Sequence, residues 1–221
     1  MVSPDLEELS ARFSRLYTGA LTDVLDRLGY LQQTLPPSIR PLHEEMRLAG
    51  PVYPVEGCPA PGIDYDTAIR ETLAMLGAVP PGHVALYQTH DTSSAHLGEL
   101  SVTSLRTRGC AGAVIDGGCR DIDYIIRNGY PVFCRYETPQ DSTPRWHVVA
   151  HGDVTLTIEG VRAGPGDYAV GDRDGVVIIP AGVVRHVLEE AETIVATESE
   201  IRRAVGEGLT PLEAYDKYGT F

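Results

Sequence analysis

The chain has 221 residues, 43% of them hydrophobic, and a formal net charge of −13 at pH 7. Such a length can enclose a sizeable core in one domain, and the acidic balance argues against a nucleic-acid partner, which would call for a basic footprint. No apolar run reaches membrane-spanning length, the first twenty residues are polar and helical in pattern rather than a signal peptide, and four cysteines without a CxxC pair read as small buried hydrophobes, so no membrane contact and a cytoplasmic setting are expected.

In chain order, residues 5–17 place Leu6, Leu9, Phe13 and Leu16 on one face of an amphipathic helix. A second helix is expected over Ala20–Leu28 with Gly29 as its stop, followed by a proline-bearing connection, Tyr30–Pro41. Arg47–Glu56 reads as a strand that Pro51 and Pro54 would confine to an edge or a bulge. Cys58–Gly62 is a loop, and Ile63–Leu76 is a helix through Ala68, Ile69, Leu73 and Leu76.

The middle of the chain alternates strand and helix. Strand Val84–Gln88 leads into a polar loop, Thr89–Leu97, and a helix, Glu99–Thr107, framed by Gly98 and Gly109. A strand over 111–116, a Gly117-Gly118 turn, a short helix through Ile122, Ile125 and Ile126, and strand Val132–Tyr136 come next. That order implies parallel pairing with right-handed crossovers. Short strands at Trp146–Ala150, Val154–Ile158, Tyr168–Val170 and Val176–Ile179, separated by Gly- and Asp-bearing turns, point to an antiparallel β layer. A long helix over about 182–206 carries an apolar stripe from Val184 to Val195, and Thr210-Pro-Leu-Glu opens a short tail helix. A single α/β domain over residues 1–221 is expected.

Chemistry concentrates after the two central strands. In an open α/β sheet the crevice lies beyond the carboxyl ends of the strands, and there the chain sets Arg120 beside Asp121 after one strand and Glu99 after the neighbouring one. Gly98-Glu99-Leu100 stands at a helix start, where free backbone N–H groups favour an anion, and Gly98 has no Cβ to keep a ligand away. Arg120 offers a planar fork for a carboxylate. Asp121 with Glu99 meets the modest demand of Mg²⁺, which takes one or two carboxylates and keeps its waters. Against this, Glu99 and Asp121 are also the acids expected in a first helical turn for capping alone. Asp116 ends its strand and reads as a holder of the turn's backbone amides.

Other candidates are weaker. His90 and His96 flank the same loop, without HxxxH or HxH spacing for zinc. His147 and His151 bracket a strand, while Asp172 and Asp174 with Gly175 form a turn whose carboxylates satisfy backbone donors. Ser142, in the polar loop Asp141–Arg145, has no histidine arrangement to make it a nucleophile. Glu198 lies on the long helix's apolar stripe, either near an exposed end or facing an interface or a site. Lys217 is the sole lysine and sits in a polar tail. It is poorly placed to be the desolvated amine that imine chemistry requires.

Laid out this way, the chain resembles the RraA-like superfamily, and within it the class II pyruvate aldolases acting on 4-hydroxy-4-methyl-2-oxoglutarate and 4-carboxy-4-hydroxy-2-oxoadipate. The resemblance covers nearly the whole chain. It rests on Gly98-Glu99-Leu100, on Gly109-Cys-Ala-Gly-Ala-Val-Ile-Asp-Gly-Gly-Cys-Arg-Asp121, on Gly166-Asp167 and on Asp174-Gly-Val-Val-Ile-Ile-Pro180.

The resemblance implies a swivelling β/β/α fold with a partly parallel sheet, assembled as a homotrimer or a dimer of trimers. It implies a metal-dependent lyase that cleaves a 4-hydroxy-2-oxo acid to pyruvate, with oxaloacetate decarboxylation as a side activity. Arg120 and the backbone amides near Gly98 and Leu100 would bind the 2-oxo acid's carboxylate. Asp121 would hold Mg²⁺ or Mn²⁺, Glu99 would reach it through water, and Glu198 of an adjacent subunit would complete the shell. The Asp141–Arg145 loop is more similar to an uncharacterised subgroup, labelled as a demethylmenaquinone methyltransferase, although nothing in the sequence offers a cofactor site for that reaction. The superfamily also holds a regulatory inhibitor of ribonuclease E, whose pattern has an amide in place of Asp121.

Overall fold

The computed structural model describes residues 2–221. Helix α1 (Pro4–Phe13) starts with Ser3 accepting from the Leu6 N–H at 3.3 Å and Pro4 in its first turn. Helix α2 (Thr18–Arg27) has no side-chain cap of its own at Tyr17. Asp172 supplies one from the far end of the chain, accepting from the Thr18 N–H and hydroxyl at 2.8 Å each and from the Asp174 N–H at 2.9 Å. Asp172 thus fills the expected role and ties the sheet to the N-terminal helices, whereas Asp174 contributes its backbone, through its N–H to Asp172 and its carbonyl to Arg40.

Next come β1 (Arg40–Pro41), the long β2 (Leu48–Pro59), α3 (Tyr65–Ala78), β3 (Val84–Gln88), β4 (Ala95–Leu97) and α4 (Glu99–Thr107). They are followed by β5 (Gly112–Cys119), α5 (Ile122–Asn128), β6 (Val132–Glu137) and β7 (Trp146–His151). The chain ends with β8 (Leu156–Ile158), β9 (Val161–Ala163), β10 (Tyr168–Asp172), β11 (Gly175–Ile179), α6 (Val184–Gly206) and α7 (Pro211–Tyr218).

The main sheet runs β1-β6-β5-β3-β2-β10-β11, with β4 paired to β5 and β7 to β2. Strands β2, β3, β5 and β6 are mutually parallel. The third quarter's antiparallel strands mostly join this same sheet, and only the β8–β9 hairpin stands apart. Val161–Ala163 is a strand that the alternation did not reveal. Glu159 and Gly160 form its two-residue turn with φ of 47° and 92°, the left-handed pair such hairpins need.

Two expectations are corrected. Strand β2 is central rather than an edge. Its prolines fit because the ladder to β3 begins only at Val52, after Pro51, while Pro54 falls in the gap between the β10 pairing and the β7 pairing. Gly117 and Gly118 are not a turn but the last part of β5, with an irregularity between Ile115 and Gly118. A Cβ on Gly117 would meet the Thr89 hydroxyl at 2.6 Å, and one on Gly118 would meet the Ser94 carbonyl at 2.6 Å. Close approach by the 89–94 segment demands these glycines, as glycine within a strand often signals.

Residues 33–41 link the sheet's two ends. Leu35 donates to Val176 and Ile178 to Gln33 beside β11, while Arg40 and Pro41 pair with β6, so the sheet is nearly closed. Inside it, Val114, Ile115, Val84 and Phe133 are fully buried, each worth about 1.5–3 kcal/mol of apolar burial. Helices α1, α2 and α6 cover the outside of β10 and β11 through a second cluster that includes Phe13, Leu21, Leu25, Val187 and Leu188. Among the described residues no helix is long and apolar enough to cross a membrane.

Candidate active site

The site's geometry begins with the pairing of β4 and β5. Ala95 lies opposite Gly118 and Leu97 opposite Cys119, and the Arg120 N–H donates to the Leu97 carbonyl at 3.0 Å. This register sets Gly98 against Arg120 and Asp121 across more than twenty residues of chain. A Cβ on Gly98 would stand 2.6 Å from Asp121 Oδ2 and 3.1 Å from Arg120 Cγ. The glycine is required, but to admit these two side chains rather than a ligand. Its φ of −141° is ordinary extended backbone.

Asp121 has φ 60° and ψ 35°, a left-handed conformation that costs a non-glycine residue about 1–3 kcal/mol and concentrates at functional sites. Its carbonyl opens α5, accepting from the Tyr124 and Ile125 N–H groups at 3.0 and 3.2 Å. Its carboxylate does not cap that helix. Oδ2 accepts from the Glu99 N–H at 2.9 Å, so the acid caps the neighbouring helix α4. The Arg120 guanidinium lies 3.8 Å from the same oxygen. Oδ1 accepts no hydrogen bond from any described residue.

Arg120 is held on its other side by Asp141, whose Oδ2 lies 3.6 Å from Nη2. Sequence reasoning took Asp141 for an ordinary loop residue. The structure fixes it: Ala95 donates to Gln140 at 2.7 Å and Ser142 donates to Ala95 at 3.1 Å, forming a bridge to β4. The Thr143 N–H and hydroxyl both donate to Asp141 Oδ1 at 3.2 Å.

Two clefts flank the Arg120-Asp121 pair. The larger, about 380 Å³, lies between α3, the start of α4 and residues 141–143. The smaller, about 360 Å³, is bounded by Cys119, Ile122 and residues 137–139. Leu100 points its side chain outward and is 82% exposed, so what it offers the cleft is backbone. The N–H groups of Leu100 and Ser101 fall in the first turn, where no intrahelical acceptor exists.

His96 lies beneath the larger cleft with its side chain fully buried, edge-on to Trp146 at 4.9 Å between centroids. Asp91 Oδ2 is 3.3 Å from Nε2, yet neither ring nitrogen makes a well-formed hydrogen bond. Burial outweighs the nearby carboxylates and pushes the imidazole down to about 4, so it is neutral at neutral pH and a poor proton carrier there. Burial alone would raise Asp91, but donors from Ser93 and Ser94, with His96, hold it below the ordinary range. The Asp91-Thr-Ser-Ser94 run is an Asx-turn signature and was the available clue to this anchor.

The remaining candidates lie elsewhere. His90 is half exposed, 3.9 Å from Glu56. His151 meets Tyr53 at 2.6 Å within the sheet, and His147 meets Glu71 at 3.5 Å, tying β7 to α3. Asp116 is scaffolding by another route than expected, pairing with Arg135 from β6 while its carbonyl accepts from Thr89 at 2.5 Å. Lys217 is exposed in α7 over the Tyr218 ring. Glu198 accepts a hydrogen bond from Tyr17 and sits 4.0 Å from Arg202, in the helical layer rather than in either cleft.

Among the described residues no group of three His, Cys, Asp or Glu side chains could enclose a metal. The donor chemistry still fits a hard cation that retains its waters: Asp121 has one oxygen uncommitted, with Glu99 beside it at the helix start.

An arginine flanked by two carboxylates thus stands with the start of α4 at the carboxyl ends of parallel strands. The chain belongs to the Aldolase/RraA family, whose RraA-like profile matches residues 18–178. It is 31% identical over 208 residues to a protein of Halalkalibacterium halodurans provisionally named 4-hydroxy-4-methyl-2-oxoglutarate aldolase, covering 92% of this chain and 91% of that one. An uncharacterized protein from Pseudomonas syringae pv. tomato superimposes with a TM-score of 0.85 at 29% identity, over 96% of this chain and 94% of that chain. Streptomyces coelicolor RraAS2, described as an unusual member of the RNase ES inhibitor RraA family, superimposes with a TM-score of 0.78 at 26% identity, over 89% and 98%. The swivelling RraA-like fold expected from the sequence is thus the one observed.

Proposed function

We propose that the protein is a divalent-metal-dependent lyase that cleaves a 4-hydroxy-2-oxo acid to pyruvate and a carbonyl compound, with oxaloacetate decarboxylation as a side activity. One observation carries the reading. Arg120 and Asp121 converge with the amide end of α4, and Asp121 keeps one oxygen free. The names of the aldolase relatives support the same class.

Arg120 and the N–H groups at Leu100 and Ser101 bind the substrate's C1 carboxylate, and Asp141 holds the guanidinium in orientation. Asp121 is the residue that would hold Mg²⁺ or Mn²⁺, with Glu99 reaching it through water. When bound, such a cation polarises the 2-oxo group and stabilises the enolate. The C3–C4 bond breaks as the 4-hydroxyl loses its proton, and the bond's electron pair becomes the pyruvate enolate, which is then protonated at C3. Glu99 is the carboxylate placed to take the hydroxyl proton, through water. Neutral His96 buttresses this corner from below without exchanging a proton at neutral pH. A trimer or a dimer of trimers would bring an adjacent subunit's Glu198 toward the site and is part of the same proposal.

The test is loss of the pyruvate methyl signal by proton NMR in D₂O, which reports enolisation without knowledge of the leaving group. With Mg²⁺ or Mn²⁺ the chain should exchange the methyl protons, EDTA should stop it, and Asp121→Ala should lower the rate about 100-fold or more. No exchange with metal present, together with no pyruvate from any 4-hydroxy-2-oxo acid, would favour a non-catalytic binding role and end the lyase reading.

A further inference from the structure

Away from the Arg120-Asp121 corner, β2, β7 and α3 bring a thiol, an imidazole and a carboxylate into line. Cys58 lies directly opposite His147 in the antiparallel ladder, so the two side chains stand on one face of the sheet. An irregularity between Glu56 and Gly57 sets that register, and Gly57 permits it, because a Cβ there would stand 2.6 Å from the His147 carbonyl. Helix α3 packs against β7 and supplies Glu71. Cys58 Sγ is 3.4 Å from His147 Nε2, and His147 Nδ1 is 3.5 Å from Glu71 Oε2. That is the order of nucleophile, base and orienting acid. Glu71 Oε2 is buried without a well-formed hydrogen bond to any described residue, a costly state that an Nδ1–H drawn closer would relieve. Such contacts are often long until the reaction tightens them. With the proton on Nδ1, Nε2 is left to accept from the thiol.

The other thiols differ. Four buried cysteines are expected from the sequence; Cys110, Cys119 and Cys134 meet that expectation, whereas Cys58 is partly exposed. Burial pushes the Cys110 and Cys119 thiols up, which keeps them protonated and inert. Cys134 donates to the Tyr136 carbonyl at 3.4 Å, and Cys58 is the cysteine whose sulfur meets an imidazole among the described residues. The residues after Cys58 narrow what it can attack. Acyl transfer needs N–H donors for its oxyanion, commonly including that of the residue after the nucleophile. Here Pro59 and Pro61 have no N–H, and the Ala60 N–H is spent on the Arg145 carbonyl at 2.7 Å. A hydroperoxide makes no such demand, since its departing oxygen needs only a proton.

We propose that Cys58 is a thiol reactive toward small hydroperoxides, with His147 as its base and Glu71 as a positioning residue. Sγ attacks one peroxide oxygen, so that an S–O bond forms as the O–O bond breaks. The thiol proton passes to His147 Nε2 and from there to the departing oxygen, which leaves as water when the oxidant is hydrogen peroxide. The sulfur loses two electrons and becomes a sulfenic acid, and the peroxide is reduced. This chemistry stands apart from the lyase reading and does not depend on it.

The test treats the full chain, in its native assembly, with hydrogen peroxide, traps sulfenic acid with dimedone and locates the adduct by peptide mass spectrometry. Cys58 should be modified first, at least about tenfold faster than free glutathione under the same conditions, and Cys58→Ser should remove that adduct. His147→Ala should slow the reaction at least about tenfold, because a positioned base typically contributes about 100-fold or more. Added imidazole should restore part of that rate, which a purely structural histidine would not allow. His147→Gln, which keeps a hydrogen-bonding side chain but no base, serves if the alanine variant fails to fold. Glu71→Ala should also slow Cys58, and Glu71→Gln, which still accepts from Nδ1, should recover most of the loss. A first adduct on another cysteine, a rate no higher than that of glutathione, or a rate that survives removal of His147 would overturn the inference.

Discussion

Replacing Gly98 by alanine separates the geometry of the site from the stability of the fold. The added Cβ would lie 2.6 Å from Asp121 Oδ2, and the oxygen must retreat by about 0.8 Å to reach ordinary contact at 3.4 Å. The nearest obstacle is the end of a side chain, so the backbone has no need to move. The Oδ2 bond to the Glu99 N–H, now 2.9 Å, then stretches past hydrogen-bonding range. A hydrogen bond to a charged group is worth about 1.5–3 kcal/mol, so pyruvate methyl exchange should fall about 10- to 150-fold. The helix α4 loses a cap worth about 1 kcal/mol, which for a chain of this size lowers Tm by only about 2–4 °C. Exchange kinetics and a melting curve on one preparation decide the matter. Full exchange in Gly98→Ala would show that the contact between Asp121 and the start of α4 has no part in the chemistry. A collapse of Tm would show that the glycine serves the fold instead.

Two further outcomes follow from the support beneath the site. The folded-state pKa of His96, about 4, lies below its ordinary value, so the unfolded chain takes up a proton between pH 6.5 and 4 that the folded chain refuses. Its contribution is complete above pH 6.5 and is lost as pH falls, reaching about 3 kcal/mol near pH 4. Urea titrations at pH 7, 5.5 and 4 should show that slope reduced in His96→Gln, and identical slopes would discard the assignment. Gly118→Ala drives a Cβ to within 2.6 Å of the Ser94 carbonyl, which is backbone and cannot swing aside. Overpacking of about 1–3 kcal/mol should lower Tm by about 2–12 °C in a thermal melt, and an unchanged Tm would contradict the packing described for β5.

Much of the architecture was legible in the sequence because periodicity and punctuation agree there. Gly98 and Gly109 bracket α4 as expected, and the apolar run into Asp116 could only be a buried strand. Reading failed where a residue's usual meaning was overridden by a distant neighbour. Gly117-Gly118 looked like a turn because nothing local showed that Ser94 and Thr89 would press on that strand. Pro51 and Pro54 looked like edge markers because sequence does not show that β2 changes partners between them. At the site, Arg120, Asp121 and Glu99 stood out by type and spacing. Asp121 capping α4 rather than α5 depends on the β4–β5 register, and the roles of Asp141 and Asp91 depend on loops returning to β4. Those are long-range facts with no local signature.

The strap formed by residues 33–41 also governs how copies of this chain can meet. An unpaired strand presents a row of N–H and C=O groups that invites another chain to add on. Here both ends of the principal strand path are occupied by the protein's own backbone, at Leu35 and Gln33 beside β11 and at Arg40 beside β6. Neither end of that path therefore offers a long open rim for extending the sheet, and the side without a strand partner belongs to β7, which pairs with β2 alone. Contacts between copies at those two ends would be made by helix faces and loops rather than by added strands.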